Sequence, residues 1–344
     1  MKAFAGRFMN NSISNRDFSL DLLRAFSCLM VVGVHIGQRF IIPGALGRFF
    51  EKGATGVSFF FILSGYLGYM SMERVFGKEG VYFAGVMKFW IKRALHVLPL
   101  YYLVMIVYFV FFTLIKGVPQ DETGLYWIRY IFMINTWIPS ENIFWNNLGA
   151  VWSISAFMLF YLLAPLFYLV IKKYVVAWVA VIAFYGVFKV TDNVGTGRIP
   201  VRYMFYFLLG ILVYLAVKEK KELGLAAILG FVILFSFLAG GGTALISPFL
   251  ASLYIIACRG KNSTLPSNGI AVAAVTFIST ISYSIYLVHA MVIEVLDALQ
   301  IGYSIAYLIV FVLATIVISL LSYEFVENRL AKWLSARIFD RLHI

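Results

Sequence analysis

Long apolar runs follow one another from Leu20 to Phe325, separated only by short polar stretches, and they constrain this chain more than any other feature. A helix that crosses a bilayer needs roughly 20 mostly apolar residues. Ten stretches approach that length: Leu20–Phe40, Gly56–Met70, Val97–Ile115, Leu148–Ile171, Val175–Val190, Val201–Val217, Gly224–Ala239, Thr243–Ala257, Ile270–Ile293 and Tyr303–Phe325. Several are short, which implies tilt or local thinning of the bilayer. The division between the seventh and eighth rests on Gly240-Gly241-Gly242 read as a tight turn between antiparallel helices. Composition agrees: 62% of the residues are hydrophobic and 13% charged, against ~45–50% and ~25% in soluble domains. A soluble chain of 344 residues cannot bury that much apolar surface. The expected fold is an all-α integral membrane protein of about ten helices. Residues 1–19 read as a cytoplasmic N-terminal segment without a cleaved signal peptide, 20–328 as a single transmembrane domain, and 329–344 as a basic amphipathic tail on an anionic leaflet.

The net charge of +12 would suggest nucleic acid in a soluble protein. Here the excess falls in alternate connecting segments, at Lys2, Arg7 and Arg16, at Arg74 to Arg93, at Lys172 and Lys173, at Lys218 to Lys221, at Arg259 and Lys261, and from Arg329 onward. Lys and Arg accumulate on the cytoplasmic side, so both termini are expected inside, membrane lipids are the expected surroundings, and no nucleic-acid partner is implied. Cys28 and Cys258 form no CxxC, zinc or disulfide pattern, and no metal is expected. The segment Lys116–Asn147 carries Trp127, Trp137 and Trp145 with little charge; it reads either as an interfacial aromatic belt or as an acceptor-binding surface.

Ionisable residues inside spans are costly and point to function by default. The first span holds Asp21, Arg24 and His35. Arg24 and His35 are close to three turns apart, on one stripe, roughly 16 Å from each other along the helix axis. Asp21 can pair with Arg24, and the plainer alternative is a snorkelling pair that anchors the helix end. His289 lies late in its own span and is expected at the same outer depth as His35, where two imidazoles can do acid–base work near neutral pH. Ser282, Tyr283 and Tyr286 line the same helix with hydroxyls; ordinary interhelical hydrogen bonding is the plainer alternative, and for the two tyrosines it is the preferred one. Ser64 offers a buried hydroxyl beside Gly65, which permits close helix approach. The run Lys88-Phe89-Trp90-Ile91-Lys92-Arg93-Ala94-Leu95-His96 is basic and amphipathic. It suits lipid headgroups or a phosphorylated cofactor such as coenzyme A; on charge alone the lipid reading fits better.

Five strings in order resemble the acyltransferase 3 family of membrane-bound acyltransferases, over nearly the whole chain. They are Leu20-Asp21-Leu22-Leu23-Arg24 through His35; Phe59-Phe60-Phe61-Ile62-Leu63-Ser64-Gly65; Lys92-Arg93-Ala94-Leu95-His96-Val97-Leu98-Pro99; Ile281-Ser282-Tyr283 through His289; and Tyr323-Glu324-Phe325-Val326-Glu327. The resemblance implies transfer of acetyl or another short acyl group from acetyl-CoA, bound on the cytoplasmic side, to a sugar hydroxyl of a lipid-linked surface glycan. The chain has the length of the bare ten-helix core, similar to the compact acetylases of bacterial O-antigen, the polysaccharide of lipopolysaccharide, and an inner-membrane location is implied. Arg24, Lys92, Arg93 and His96 would hold coenzyme A, with Asp21 orienting Arg24. His35 would act as general base or transient acyl acceptor, with Ser64 at the reacting region and His289 assisting. Two positions depart from the family pattern. Phe157 follows Trp152-Ser153-Ile154-Ser155-Ala156 where many members have Glu, a role that is then dispensable or passes to another acid such as Glu294. His96 stands where the basic stretch has a second Arg. The rival readings are a transporter of a lipid-linked sugar, against which stand the lack of a repeat and of paired Gly/Pro-broken spans, and an acyl conduit serving a separate transferase.

Overall fold

The computed structural model describes residues 17–77, 80–111, 125–137, 150–193, 198–238, 243–259 and 269–342. Among the described residues each of the ten apolar runs coincides with a helix, and there is no strand. Helix α1 (Phe18–Gly37) starts where the Asp17 carboxylate accepts the backbone N–H groups of Ser19 and Leu20, satisfying donors that a helix start leaves unpaired. A short helix α2 (Gly44–Glu51) and a single 3₁₀ turn lead into α3 (Gly56–Phe76). The order continues with α4 (Phe83–Phe109), α5 (Leu125–Ile131), α6 (Trp152–Val170), α7 (Tyr174–Asn193), α8 (Met204–Lys218), α9 (Glu222–Leu238), α10 (Thr243–Arg259), α11 (Ile270–Thr280), α12 (Ser282–Ala298) and α13 (Ile305–Ser322). Among the described residues seven helices are long and apolar enough to cross a membrane, eight if α11 and α12 are one bent span; α9 and α10 are shorter apolar helices.

The bundle is built around α3 and α8. A Cβ on Gly65 would lie 2.0 Å from the Phe207 carbonyl oxygen, and one on Gly210 would lie 2.1 Å from that of Ile62. Two glycines facing each other's backbone let the helices touch main chain to main chain, as small residues do at membrane helix contacts. The spanning window of α8 is 72% buried and that of α7 only 11%, which puts α8 in the core and α7 at the periphery. Val175, Val179 and Ile182 on α7, and Ile309, Leu313, Val317 and Leu321 on α13, are exposed. Their helical spacing makes continuous apolar stripes, which water would not tolerate and lipid does. The protein is a multi-pass membrane protein.

Three elements depart from the sequence reading. Helix α4 begins at Phe83 and runs through Pro99, so the basic amphipathic run read as preceding the third span is continuous with it. A proline leaves the carbonyl four residues before it, here that of Leu95, without its helical donor, which membrane helices tolerate; nearby, the Tyr283 hydroxyl donates to the Val97 carbonyl at 2.7 Å and ties α4 to α12. The ninth run breaks between α11 and α12 with a bend of 71°. Neither Gly nor Pro causes the break. Thr280 donates to the Thr276 carbonyl at 2.6 Å and Ser282 to that of Ser279 at 2.9 Å, and such back-bonding hydroxyls bend helices. Third, the tail is not a separate segment. A π-helical stretch, Tyr323–Leu330, joins α13 to α14 (Ala331–Leu342) in one helix of 38 residues, so the expected boundary at 328/329 falls within it. At 1.5 Å per residue that helix is about 57 Å long, well beyond a ~30 Å hydrocarbon core. Helix α14 packs against α4, with the Lys88 amine 5.9 Å above the Phe339 ring. The Gly240–Gly242 turn, residues 1–16, and most of the segment 116–147 with Trp127 and Trp145 lie outside the described residues or side chains.

Candidate active site

Helix α1 contributes to two cavities in the bundle. Arg24, from its first half, lines a cavity of about 380 Å³ together with Ser64, Arg93, His96 and Glu327. His35, from its last turn, lines a cavity of about 670 Å³ with Arg39, Trp152, Arg198 and Glu294. They are called here the arginine cavity and the histidine cavity.

In the arginine cavity the Asp21–Arg24 pair forms as expected, at 3.4 Å. Ser279 completes a triangle: its hydroxyl donates to Asp21 at 2.7 Å and accepts from Arg24 at 3.4 Å. The kink after α11 thus turns Ser279 toward α1 and holds the guanidinium in place. Arg93 lies over the rings of Phe89 and Tyr161, at 5.3 and 5.4 Å. Among the described residues it has no carboxylate partner. His96 stacks obliquely on Tyr283, ring centroids 5.8 Å apart. Lys92 is exposed and is not part of the cavity wall. Ser64 is in this cavity and not in the one that holds His35. Phe157 is here too, whereas Glu294 lines the histidine cavity. Glu294 therefore does not replace the missing acid in place. The carboxylate beside Phe157's cavity is Glu327, which accepts from the Ser284 hydroxyl. The sequence flags Glu327 only as the end of a motif, because an α-helical wheel gives the wrong facing for a residue carried on a π-helix.

In the histidine cavity the two imidazoles meet. His35 Nδ1 is 2.9 Å from His289 Nε2, and the rings stack at 5.0 Å between centroids. Protonation follows from the third partner. His289 Nδ1 lies 2.8 Å from the Ile285 carbonyl oxygen, which only accepts. His289 therefore carries its proton on Nδ1 and accepts at Nε2, so in the neutral pair His35 donates from Nδ1. What remains on His35 is the lone pair of Nε2, and His35 lines the cavity while His289 is fully buried behind it. A fixed tautomer with an exposed lone pair is what a general base or nucleophile requires. At the rim Arg39 bridges Glu294 at 3.3 Å and Asp297 at 3.1 Å, and Tyr307 donates to Asp297 at 2.8 Å, tying α1 to α12 and α13. The Arg198 guanidinium lies 5.0 Å from the Trp152 ring. Tyr283 and Tyr286 make the interhelical hydrogen bonds expected of them.

The family described as acyltransferase domain, acyltransferase 3, matches residues 17–324. The chain belongs to the acyltransferase 3 family. Three relatives of this chain are bacterial. YrhL of Bacillus subtilis, named as a candidate peptidoglycan O-acetyltransferase, is 26% identical over 90% of this chain and 54% of its own length. The acyltransferase MdmB of Streptomyces mycarofaciens is 24% identical, over 80% of this chain and 79% of its own. The peptidoglycan O-acetyltransferase OatA of Listeria monocytogenes is 27% identical over 46% of this chain and 25% of its own. The chain thus spans about half the length of YrhL. No solved structure matches it. Arg24, Ser64 and Arg93 line one cavity and His35, backed by buried His289, lines the other, so the acyltransferase 3 motifs of this chain fall at two neighbouring cavities.

Proposed function

We propose that this acyltransferase moves an acetyl or other short acyl group from a coenzyme A thioester in the arginine cavity to a sugar hydroxyl in the histidine cavity. The observation that carries the reading is the directed chain from the Ile285 carbonyl through His289 to Nδ1 of His35, a residue that lines a cavity and whose Nε2 is left outside that chain. The arginine cavity suits the donor: guanidinium groups match phosphate oxygens, and Arg93 is not committed to a carboxylate. At about 380 Å³ it suits the pantetheine arm and thioester, with the nucleotide beyond it, toward exposed Lys92. His35 Nε2 takes the proton of the sugar hydroxyl as its oxygen attacks the thioester carbonyl. The C–O bond forms, the C–S bond breaks, and the proton passes on to the departing thiolate. His289 holds the tautomer, and Asp21 with Ser279 holds Arg24.

The acceptor is a glycan built at the bacterial inner membrane. One reading is lipid-linked O-antigen, the acceptor of the compact acetylases that the chain resembles; the names of YrhL and OatA favour peptidoglycan as a second reading. Radiolabelled acetyl-CoA supplied to membranes containing the protein, with O-antigen intermediates and peptidoglycan as parallel acceptors, tests the reaction and separates the two. Label is expected as a base-labile ester on one glycan. The variant His35→Gln keeps a hydrogen-bonding side chain but accepts no proton at neutral pH, and at matched protein level it should lose about 10²–10⁴ in rate. Wild-type transfer by that variant would overturn the mechanism.

A further inference from the structure

The two cavities have two lining residues in common, Val57 and Tyr286. On one side the wall is fixed. The Tyr286 hydroxyl donates to the Ala150 carbonyl at 2.9 Å and accepts from Ser153 at 2.8 Å, and its ring meets Phe60 edge-on at 6.0 Å between centroids. On the other side stands Val57, 7% exposed, in the first turn of α3. Its neighbours on that helix divide: Ser58 faces the histidine cavity and Phe60 the arginine cavity. A β-branched side chain in a helix has essentially one rotamer, so Val57 presents its two methyl groups at the partition and cannot swing aside.

We propose that Val57 sets the size of the acyl group this protein transfers. The inference rests on the function proposed above. If the thioester arrives from the arginine cavity and the attacking hydroxyl is held by His35, the reacting carbonyl carbon sits at the partition. Whatever hangs from that carbon must then fit beside the Val57 methyl groups against an immovable Tyr286. The methyl of an acetyl group fits there, and each further methylene meets the valine. A single methylene in an apolar site discriminates by about 10–200-fold.

The test is a competition between acetyl-CoA and butanoyl-CoA, equimolar in one vessel with the full-length protein in nanodiscs and O-antigen intermediates and peptidoglycan as acceptors, the two esters being counted by mass spectrometry. The product ratio does not depend on how much of the protein is folded. The wild type should form almost only acetyl ester. Val57→Ala should move the ratio toward butanoyl ester by about tenfold or more, and an unchanged ratio would overturn the proposal. Val57→Leu should lose acetyl transfer while retaining radiolabelled coenzyme A binding. Full acetyl transfer by that variant would also overturn it, and if that variant binds no coenzyme A the Val57→Ala ratio decides. Absence of both esters with the wild-type chain on both glycans would remove the functional reading and the proposal with it.

Discussion

At the scale of the residue, the pair of histidines divides labour without symmetry. His289 is buried and anchored to its own helix, His35 is half in the cavity, and only the second has an imidazole nitrogen to offer. This predicts unequal effects of substitution. In His289→Gln the amide oxygen can still accept from His35 Nδ1 and the amide N–H can still reach the Ile285 carbonyl, so much of the transfer rate should survive. In His289→Leu the donor on His35 loses its acceptor, the imidazole is free to take the other tautomer, and transfer should fall by at least tenfold, toward the ~10⁴ seen when a catalytic histidine is left in the wrong tautomer. Equal rates for the two variants, measured as acyl ester formed per protein, would contradict the assigned proton positions. The meeting of these histidines was legible in the sequence because a polar group in an apolar run has so few ways to be satisfied. The same holds for Asp21 with Arg24. Glu327 was not legible as a cavity residue, since its facing depends on a local change of helical winding. Nor was Val57, an apolar residue among apolar residues whose place at a partition exists only in three dimensions.

At the scale of the element, positions were readable and breaks were not. Apolar length alone located the helices, because lipid leaves the backbone no alternative to satisfying itself. The continuation of α4 through Pro99 runs against the residue that usually ends a helix, and the bend before α12 depends on serine and threonine side chains turning back on the main chain. Neither feature is visible in apolar length. The crossing of α3 and α8 is a third, and it is rigid enough to predict from. A methyl group on Gly65 meets the Phe207 carbonyl, which cannot rotate away. Gly65→Ala should therefore force the helices apart and cost about 1–3 kcal/mol, visible as a lowered thermal unfolding midpoint in detergent. Gly186→Ala on α7, where an added Cβ meets nothing within 4 Å, should not lower the midpoint, since Ala is the better helix former. A Gly65→Ala midpoint equal to that of the wild type would mean that the backbones are not in contact.

At the scale of the whole molecule, the charge bias along the chain sets the expected orientation, with Arg24 toward the cytoplasm and His35 toward the outer face. Reporter fusions after Asn193 should be active outside and those after Lys221 inside; both on one side would refute that orientation. An arrangement with hollows reaching in from both ends of a spanning helix has a consequence unrelated to acyl transfer. A membrane that stores energy as a proton gradient must stay electrically tight, and here the insulation across the bundle narrows to the side chains that the hollows share. The wall is thus also a plug. Replacing both of its residues, as in Val57→Gly with Tyr286→Ala, should turn the protein into a leak: vesicles containing the double variant should lose an imposed pH difference, followed with an entrapped dye, that vesicles with the wild-type protein hold.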